Sequence, residues 1–470
     1  MAAKHKNVYT EVVDHNLCIG CGLCAGICPN HNLKIEFNNF GEYAATTQGV
    51  DCSDTCDLCL RVCPFYDNPD NEDTLGRQLF ATLPDVKHTD ESGYYLQSFV
   101  GYSSVDGHRD NGASGGMATW MLESLLKDNM VDCVACVSPT AEKTALFGFT
   151  LCNTPQQVRA CSRSCYYPVE MGEVVAHILS HEGRYAVIGL PCACKALRLA
   201  MQVSPKLKRR IRFVVGLVCG QAKSAFFAEY ICALGGGNPQ SLNAVTFRVK
   251  SKTRPATDFG MKFACLDDSG SSTEGVIFWS QGMNQVWCDR YFTPNACNFC
   301  DDIFAECADA VFMDAWLPKY SSDPRGHNIF LVRSTILRDL LNRCAKDGSL
   351  SLDNLDISEA IRSQQPAVNS KRRDITERIR LAGKADQPTP LKRLVLCRDK
   401  LSLEGKWLVR TQYLASQRSR TEWVAANKDL SEFSRRLEPD LRHSQRMQRL
   451  LKGLGYVPRR IKSLLRKVLR

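Results

Sequence analysis

The sequence predicts a multidomain α/β (α+β) protein, and three observations support that prediction. The chain of 470 residues is too long for one ordinary hydrophobic core. Cysteines concentrate in residues 1–66, and apolar runs of strand and helix length alternate between residues 96 and 345. The sequence from residue 346 to residue 470 is charged and helical in pattern.

Two runs of four cysteines, each ending in Cys-Pro, define the first domain. Their members are Cys18, Cys21, Cys24 and Cys28 before Pro29, and Cys52, Cys56, Cys59 and Cys63 before Pro64. Three closely spaced thiolates can hold three corners of one cubane, while the fourth thiolate turns towards a second cluster. The spacing therefore predicts a ferredoxin-like domain with two [4Fe-4S] clusters, in which Cys63 joins the first run and Cys28 joins the second.

A structural zinc site and a set of disulfides are the alternatives to iron–sulfur clusters. Zinc sites need four ligands and favour paired CxxC knuckles, which two Cys-Pro quartets fit poorly. One extra residue separates Cys52 from Cys56, so Cys52 matches the cluster pattern least well.

Composition indicates the class and compartment of the protein. Hydrophobic residues make up 44% of the chain and charged residues 23%, as in ordinary soluble globular proteins. The 24 cysteines are grouped like metal ligands in a long chain, which argues against a secreted disulfide scaffold. The polar N-terminus lacks the apolar segment of a signal peptide, and no stretch approaches the roughly 18 apolar residues of a membrane span. Because cubanes need reduced thiolates, we expect a cytoplasmic protein.

The net charge of +10 is densest at the C-terminal end. Basic residues from Arg442 to Arg470 interleave with apolar residues in a helical pattern that breaks near Gly455 and Pro458. Such a basic amphipathic helix could lie peripherally on the inner face of a membrane, dock on a partner protein, or pack one face on its own protein. Nucleic acid is not an expected partner, because no recognition fold accompanies the charge.

The order of elements follows from the apolar runs. Residues 67–95 are polar and are predicted to be a linker. Strands are predicted at residues 98–102, 131–137, 185–189, 212–218, 310–313 and 329–332. Helices are predicted at residues 117–127, 172–181, 193–201 and 225–234. A β-rich insertion is expected across residues 245–279, and the chain turns helical after about residue 336.

Two kinds of motif in the central domain indicate cofactor binding. A small-residue loop runs from Asn111 through Ser114, Gly115 and Gly116 to the predicted helix at residues 117–127. Glycines let a backbone approach a ligand closely and a helix N-terminus favours a phosphate, although the same residues also form ordinary turns. Further cysteines occur at two strand ends and in a CxxC loop, namely Cys192, Cys219, Cys297 and Cys300. These thiols could converge on a third cubane, or each could be buried without a ligand.

In this order the motifs resemble the beta-subunit family of coenzyme F420 hydrogenase/dehydrogenase, which includes 7-hydroxymethyl chlorophyll a reductase. The similarity runs from Cys18 to about Ser334. It includes the cysteine runs, the small-residue loop, the Gly-Leu-Pro-Cys turn at 189–192, Ala-Leu-Arg at 196–198, Cys219, the CxxC-Asp motif at 297–301 and Ala-Asp at 308–309. The resemblance implies an iron–sulfur flavoprotein oxidoreductase with FAD in the central α/β domain. The implied flavin-binding residues are Asn111, Ser114, Gly115, Gly116, Ser164 and Tyr166, and the implied ligands of a third cluster are Cys192, Cys219, Cys297 and Cys300.

Departures from the family pattern bear on the flavin contacts and on any deazaflavin substrate. Ala113 stands where the family usually has a second serine, and Cys165 stands where it has a lysine. Arg163 could replace the lost positive charge. Asp314 takes the place of a usual glycine. The segment at residues 364–373 resembles the helical tail of bacterial members from polysaccharide-assembly loci.

The leading functional hypothesis is a converter between one-electron and two-electron chemistry. A low-potential donor such as ferredoxin would feed the clusters, then FAD, then an organic substrate, and the reverse flow is equally allowed. The alternatives are a non-catalytic electron-transfer subunit that serves a partner enzyme and a redox or oxygen sensor. Candidate general acids are His327, Tyr166 and Asp314. Arg248 could hold an anionic ligand, although a surface ion pair is expected, and Cys307 is not an expected ligand.

Overall fold

A computed structural model of the protein describes residues 6–48, 52, 55–140, 144–267, 269–394 and 401–453. Residues 454–470, which hold much of the predicted basic tail, lie outside the described residues. A one-turn π-helix at Tyr9–Val13 begins the described chain, followed by α1 (Leu23–Ile27), β1 (Leu33–Phe37), β2 (Tyr43–Thr47) and α2 (Leu58–Arg61). β1 and β2 pair antiparallel.

Residues 67–95, predicted to be a linker, contain α3 (Glu72–Phe80) and a hairpin of β3 (Lys87–Thr89) and β4 (Gly93–Tyr95). Asn71 caps α3, because its side chain accepts hydrogen bonds from the backbone of Asp73 and Thr74. Leu75 and Phe80 of this helix are buried. Polar composition alone did not distinguish a connecting segment from a capped helix whose apolar side packs on the body of the protein.

The rest of the described chain alternates strands and helices. The strands are β5 (Gln97–Ser103), β6 (Cys133–Pro139), β7 (Phe147–Cys152), β8 (Tyr185–Gly189), β9 (Ile211–Leu217), β10 (Leu242–Val249), β11 (Gly260–Leu266), β12 (Ser272–Phe278), β13 (Ala310–Asp314), β14 (Asn328–Val332) and β15 (Leu350–Asn354). The helices are α4 (His108–Asn111), α5 (Met117–Lys127), α6 (Pro155–Ala160), α7 (Gly172–Ser180), α8 (Pro191–Val203), α9 (Pro205–Arg210), α10 (Phe226–Leu234), α11 (Asn284–Cys288), α12 (Pro318–Ser321), α13 (Thr335–Lys346), α14 (Ile357–Ser363), α15 (Gln365–Val368), α16 (Ile375–Lys384), α17 (Leu403–Ala425) and α18 (Leu430–Gly453).

Eight strands form one mixed sheet in the order β15-β5-β14-β13-β9-β8-β6-β7. The four inner strands β13, β9, β8 and β6 run parallel, and the others are added antiparallel at both edges. β8 and β14 are buried along their whole length, as expected for strands covered on both faces. All six strands predicted for the central domain are present in this sheet, which confirms the α/β class.

Helices cover both faces of the sheet. Val187 of β8 packs in the same core as α7 and α8, whereas its neighbours Ala186 and Ile188 pack in the core that contains α5 and α13. This alternation follows from the two-residue period of a strand. α1 of the cysteine-rich part belongs to the first of these cores, so the N-terminal cysteines are held against the α7–α8 side.

A three-stranded antiparallel sheet of β10, β11 and β12 is inserted between β9 and β13. It occupies residues 242–278, close to the β-rich insertion that the sequence predicts. Phe247 and Phe263 of this sheet share a core with Phe227 of α10, Trp423 of α17 and Phe433 of α18. The C-terminal helices therefore cover the insertion. Among the described residues, no helix is both long and apolar enough to cross a bilayer.

The region predicted to be helical from residue 346 begins instead with β15, which pairs antiparallel with β5 at the edge of the main sheet. The strand has five residues, and Ser351, Asp353 and Asn354 are polar. Such a short polar segment carries little strand signal by itself. Its backbone hydrogen bonds come from a strand some 250 positions earlier in the chain, which local sequence does not reveal.

A buried ion cluster fastens the segment after α16 to α3 and to the loop before β13. The Arg393 side chain is only 2% exposed and lies 2.6 Å from Glu306 and 2.5 Å from Asp73. Its Nε also lies 3.6 Å from Asp301 and 3.8 Å from Glu72. Buried charges are tolerated only when they are paired, so this guanidinium is the group that compensates several buried carboxylates at once.

Replacing Arg393 by alanine should destabilise the protein by about 3–5 kcal/mol, because Glu306 would be left buried without its partner. The measurement is the midpoint of thermal unfolding of the purified chain. The control is Arg362→Ala, which breaks an exposed pair with Glu359 and should cost no more than about 1 kcal/mol. Equal midpoints for the two variants would contradict the structural role of Arg393.

Candidate functional site: three cysteine groups around one cavity

Four cysteines of the N-terminal part line one small apolar pocket, namely Cys18, Cys21, Cys24 and Cys63. The electrostatics show the same grouping. Burial raises the pKa of Cys63, and Cys21 and Cys18 raise it further. Cys63 therefore lies beside the first run and not with its own run, where the swapped ligand pattern expects it.

The other cysteines of the second run form a separate group. Burial raises the pKa of Cys59, and Cys52 and Cys56 are the thiols that add to this shift. The backbone N–H of Val8 donates to the Cys59 sulfur at 3.4 Å. Cys28, the fourth proposed ligand, is the residue at which α1 ends.

The central domain brings together a third group: Cys192, Cys219, Cys297 and Cys300. Cys192 is the second residue of α8, Cys219 follows β9, and the CxxC pair lies in and just after the 3-10 turn Asn295–Phe299. Burial raises the pKa of Cys192 well above its ordinary value, and Cys300, Cys219 and Cys297 add to the shift, followed by Cys21. The third group therefore lies next to the first run of the N-terminal part.

Cations and N–H donors surround the third group. The Lys371 ammonium lies 3.1 Å from the Cys300 sulfur and donates to the Asp302 carbonyl at 2.7 Å. The backbone N–H of Ala222 donates to the Cys297 sulfur at 3.4 Å, and Arg290 donates to the Cys297 carbonyl. Hydrogen bonds and positive charge stabilise an anionic thiolate cluster. The residues present therefore fit a cubane.

Cys307 lies apart from this group. It is fully buried, and burial raises its pKa, with Glu72 and Asp302 as the next contributions. Its carbonyl accepts a hydrogen bond from Arg198. The expectation that Cys307 is not a ligand stays a prediction, and the surroundings of this thiol agree with it.

One cavity of about 910 Å³ connects the cysteine groups with the small-residue loop. Cys21 of the first run, Cys192 of the third group, and Ser114 of the loop all border it. Its size is near the upper end of the roughly 300–1,000 Å³ that ligand sites occupy. Trp287 and Trp316 are among its aromatic walls. The lining therefore suits a large aromatic cofactor with charged groups at its ends.

The small-residue loop is held in place from below by a lysine. The ammonium of Lys250 donates to the carbonyls of Ser114 at 2.7 Å and Arg325 at 2.6 Å, and to that of Arg109. Burial lowers the pKa of Lys250 to about 7, and Arg109 contributes. Gly116 has φ +77°, and a Cβ there would meet the His108 carbonyl, so this position needs glycine to close the turn before α5.

The implied flavin residues do not all face the cavity. Ser114, Gly116, Ser164 and Tyr166 border it, whereas Asn111 and Gly115 are not among its lining residues. Asn111 is exposed at the end of α4. A Cβ on Gly115 would lie 2.7 Å from the carbonyl of Gly101 and 2.8 Å from the Asn328 nitrogen. Gly115 therefore permits close packing of the loop on the sheet.

Two of the candidate acids, Tyr166 and Asp314, meet at one wall of the cavity around Arg248. Arg248 donates to Asp314 at 3.0 Å and lies over the Phe259 ring, with 3.8 Å between the guanidinium carbon and the ring centroid. Burial raises the pKa of Tyr166, and Arg248 partly opposes the rise. The Arg248 side chain is 3% exposed, so the expected surface ion pair is wrong: the pair with Asp314 is buried. Aromatic packing, which the sequence does not reveal, covers it.

The third candidate acid, His327, lies behind the loop and is not a lining residue of the cavity. Its carbonyl accepts a hydrogen bond from the Ser114 hydroxyl at 2.5 Å, and its ring packs against Tyr102 and Tyr320. Burial lowers the pKa of His327, and Arg109 adds to this effect. His327 therefore shapes the loop from outside the cavity.

Sequence reasoning missed two buried lysines at the site. Lys223 borders the cavity, donates to the Tyr291 carbonyl at 2.6 Å and lies 4.9 Å from the Trp287 ring centroid. Lys371 contacts Cys300, although its sequence had suggested only a tail motif. A Lys-Arg-Arg run usually indicates a solvated face. No local signal distinguishes this run from such a face, because its burial depends on the fold.

Two sequence profiles of one family match more than half of the chain. The profile of the N-terminal part of the coenzyme F420 hydrogenase/dehydrogenase beta subunit matches residues 98–176, and the profile of its C-terminal part matches residues 182–358. A 4Fe-4S binding domain profile matches residues 11–34. The chain belongs to the coenzyme F420 hydrogenase/dehydrogenase beta-subunit family. The resemblance seen in the sequence is confirmed, and this family member is an iron–sulfur electron-transfer protein with an N-terminal 4Fe-4S domain.

A curated relative of this family member is the F component of F(420)H(2) dehydrogenase from Methanosarcina mazei, a subunit of that enzyme. It is 22% identical over 217 residues, which are 44% of this chain and 55% of the relative. The chain thus spans about half the length of the curated relative that it matches. Among solved structures, a chain of the F420-reducing [NiFe] hydrogenase complex from Methanosarcina barkeri aligns with 14% identity and a TM-score of 0.48. That alignment covers 65% of this chain and 98% of the other.

Replacing Cys297 by alanine should remove the iron of one cluster, about four per chain, because one corner of the cubane would lose its thiolate. Iron analysis and electron paramagnetic resonance of the reduced protein measure the effect, and the signals of the N-terminal clusters should persist. Cys307→Ala is the control, since it removes a buried thiol outside the group and should keep all iron. Unchanged iron in Cys297→Ala would refute this ligand assignment.

Replacing Lys371 by glutamine should shift the reduction potential of the third cluster to a more negative value. The variant loses a positive charge 3.1 Å from a ligand sulfur, and adding an electron beside that sulfur then becomes less favourable. A redox titration followed by electron paramagnetic resonance measures the shift. Lys384→Gln, an exposed position on α16, is the control. A potential equal in both variants would show that the Lys371 charge does not act on the cluster.

Proposed function

We propose that the protein is an FAD-dependent iron–sulfur oxidoreductase with two clusters in its N-terminal part and a third in its central domain. It passes single electrons between a low-potential donor such as ferredoxin and FAD, and exchanges a hydride with an organic substrate, in either direction. FAD would accept electrons singly and release them in pairs, the property that such a conversion needs.

The observation that supports this proposal is the shared cavity. Cys18 and Cys21 of the first group and Cys192 and Cys219 of the third group border the same space as the small-residue loop. A separate electron-storage protein would not need such a cavity beside its clusters. Continuity between thiol groups and cavity is what electron delivery to a bound organic cofactor requires.

Individual residues have different proposed roles in this cavity. The backbone at Ala113, Ser114 and Gly116 would approach the cofactor closely, because these small residues border the cavity and Lys250 fixes their conformation. Ser164 and Tyr166 would contact it from the facing wall. These residues are where we expect FAD to be held.

Proton transfer is assigned to the Tyr166 wall. The Tyr166 hydroxyl is a proton donor with a raised pKa, so it stays protonated at neutral pH. Arg248 holds Asp314 at 3.0 Å and also donates to the Ala113 carbonyl at 3.4 Å, which joins the wall to the loop. Arg248 therefore orients this wall, and Lys223 supplies a second buried cation.

A non-catalytic electron-transfer subunit is the second candidate function. The name of the curated relative favours it, since that protein is one subunit of a dehydrogenase. By analogy, this chain would have protein partners. A purified chain that reduces such a partner but turns over no small molecule would favour this second function.

The direct test is anaerobic purification with iron, sulfide and flavin analysis. About twelve iron and one FAD per chain are expected from three cubanes and one flavin. About eight iron without flavin would leave only the N-terminal clusters and overturn the flavoprotein proposal.

Replacing Ala113 by phenylalanine should lower the flavin content of the purified protein, because a large side chain would fill the cavity beside the loop. Flavin absorbance and iron content are measured together, and iron should not change. Ala160→Phe, at the exposed end of α6, is the matched control and should keep its flavin. Full flavin occupancy in Ala113→Phe would contradict the role of the loop.

A further inference from the structure

A group of three cysteines outside the proposed cluster ligands lies on the sheet face that carries α5. The Cys152 sulfur is 3.6 Å from that of Cys136 and 3.7 Å from that of Cys161. All three sulfurs lie within 4.8 Å of one another, and this is the one such group of potential metal ligands among the described residues. It combines thiols from β6, β7 and the end of α6.

The pairing of β6 with β7 brings two of these thiols to the same face. Val134 is opposite Cys152, and Cys136 is opposite Thr150. Residues 134 and 136 point to the same side of the sheet, so Cys136 and Cys152 are diagonal neighbours on that side. Cys161 ends α6, and its sulfur also contacts the Gln157 carbonyl at 3.2 Å.

The distances fit one mononuclear ion. Zinc binds thiolate sulfur at about 2.3 Å in a tetrahedron, and two sulfurs of such a site lie about 3.8 Å apart. The corners of a cubane hold their thiolates on different iron atoms and therefore farther apart than van der Waals contact. The group is thus suited to a single thiophilic cation and not to another iron–sulfur cluster.

A disulfide fits the strand geometry less well. Diagonal neighbours across an antiparallel pair have Cα atoms about 7–8 Å apart, whereas bridged cysteines usually have Cα atoms about 4.4–6.8 Å apart. Ordinary packing of buried thiols is the other explanation. It does not require three thiols from three chain segments to meet sulfur to sulfur.

We propose that Cys136, Cys152 and Cys161 bind one thiophilic d10 cation, with Zn²⁺ as the expected ion. Cys152 is 1% exposed and forms the closed side of the site. Cys136 and Cys161 border the 910 Å³ cavity. Three protein ligands leave a fourth tetrahedral position, and here it faces the cavity, so that an oxygen of water or of a substrate can bind there. This site is separate from the iron clusters and does not depend on the proposed flavin.

The test uses the full chain purified anaerobically, with zinc, iron and flavin measured in the same samples. Wild type should contain one zinc per chain, and Cys152→Ser should lose it while iron and flavin stay unchanged. Cys133→Ser is the matched control, because Cys133 is on β6 but on the opposite face, and it should retain zinc. Zinc that persists in Cys152→Ser, or that is lost equally from Cys133→Ser, overturns the proposal.

If wild type is purified without zinc, the chain is titrated with Co²⁺. Thiolate-to-cobalt charge-transfer bands and the visible bands of tetrahedral cobalt should develop in wild type and in Cys133→Ser, but not in Cys152→Ser. Absence of these bands in wild type overturns the proposal.

A second measurement uses wild type only and does not depend on how a variant folds. After mild chelation with iron content verified, alkylation of Cys161 by iodoacetamide is followed by mass spectrometry with and without added Zn²⁺. Zinc should protect Cys161 and leave the exposed Cys288 reactive. Equal labelling of Cys161 in both samples, or a disulfide within the group, contradicts the assignment.

Discussion

Burial of cysteine sulfur is the constraint on which the rest of this structure depends. Burial raises the pKa of Cys21 to about 12 and that of Cys219 to about 12, so a free thiolate at either position is costly. A metal ion reverses this preference, because it binds the thiolate and supplies the compensating charge. For the proposed ligands, metal binding and correct packing of the N-terminal part against α7 and α8 are therefore coupled.

The second requirement is charge balance at the third cysteine group. Burial by itself lowers the pKa of Lys371, but Cys300, Cys219 and Cys297 more than offset this effect and keep the lysine charged. Arg393 performs the same task for the acidic residues nearby, including Glu306 and Asp301. Cations from the chain after β15 thus complete a site whose sulfurs come from α8, β9 and the loop before β13. The C-terminal region is part of the proposed redox centre for this electrostatic reason.

Local sequence was sufficient wherever one pattern had one structural solution. The apolar run of β8 predicted a buried strand, and the Met117–Lys127 helix begins and ends at the residues expected. It was insufficient for β15 and for α3, where polar composition fits both a loop and a packed element. Arg248 shows the same difficulty at the site: its charge suggested a surface ion pair, but Phe259 and Trp316 cover it. Neither ring is near Arg248 in sequence.

The sequence by itself determined which chemistry the chain can hold, because cysteine spacing and the order of the glycine and proline motifs are local properties that directly identify iron–sulfur ligation and the family. The tertiary structure alone decided which groups share a space. It joined Cys21, Cys192 and Ser114 around one cavity and brought Lys371 to Cys300. It also brought Cys136, Cys152 and Cys161 into contact, without any spacing motif. Such meetings depend on strand register and on packing between distant segments, which the cooperative fold sets and local sequence does not encode.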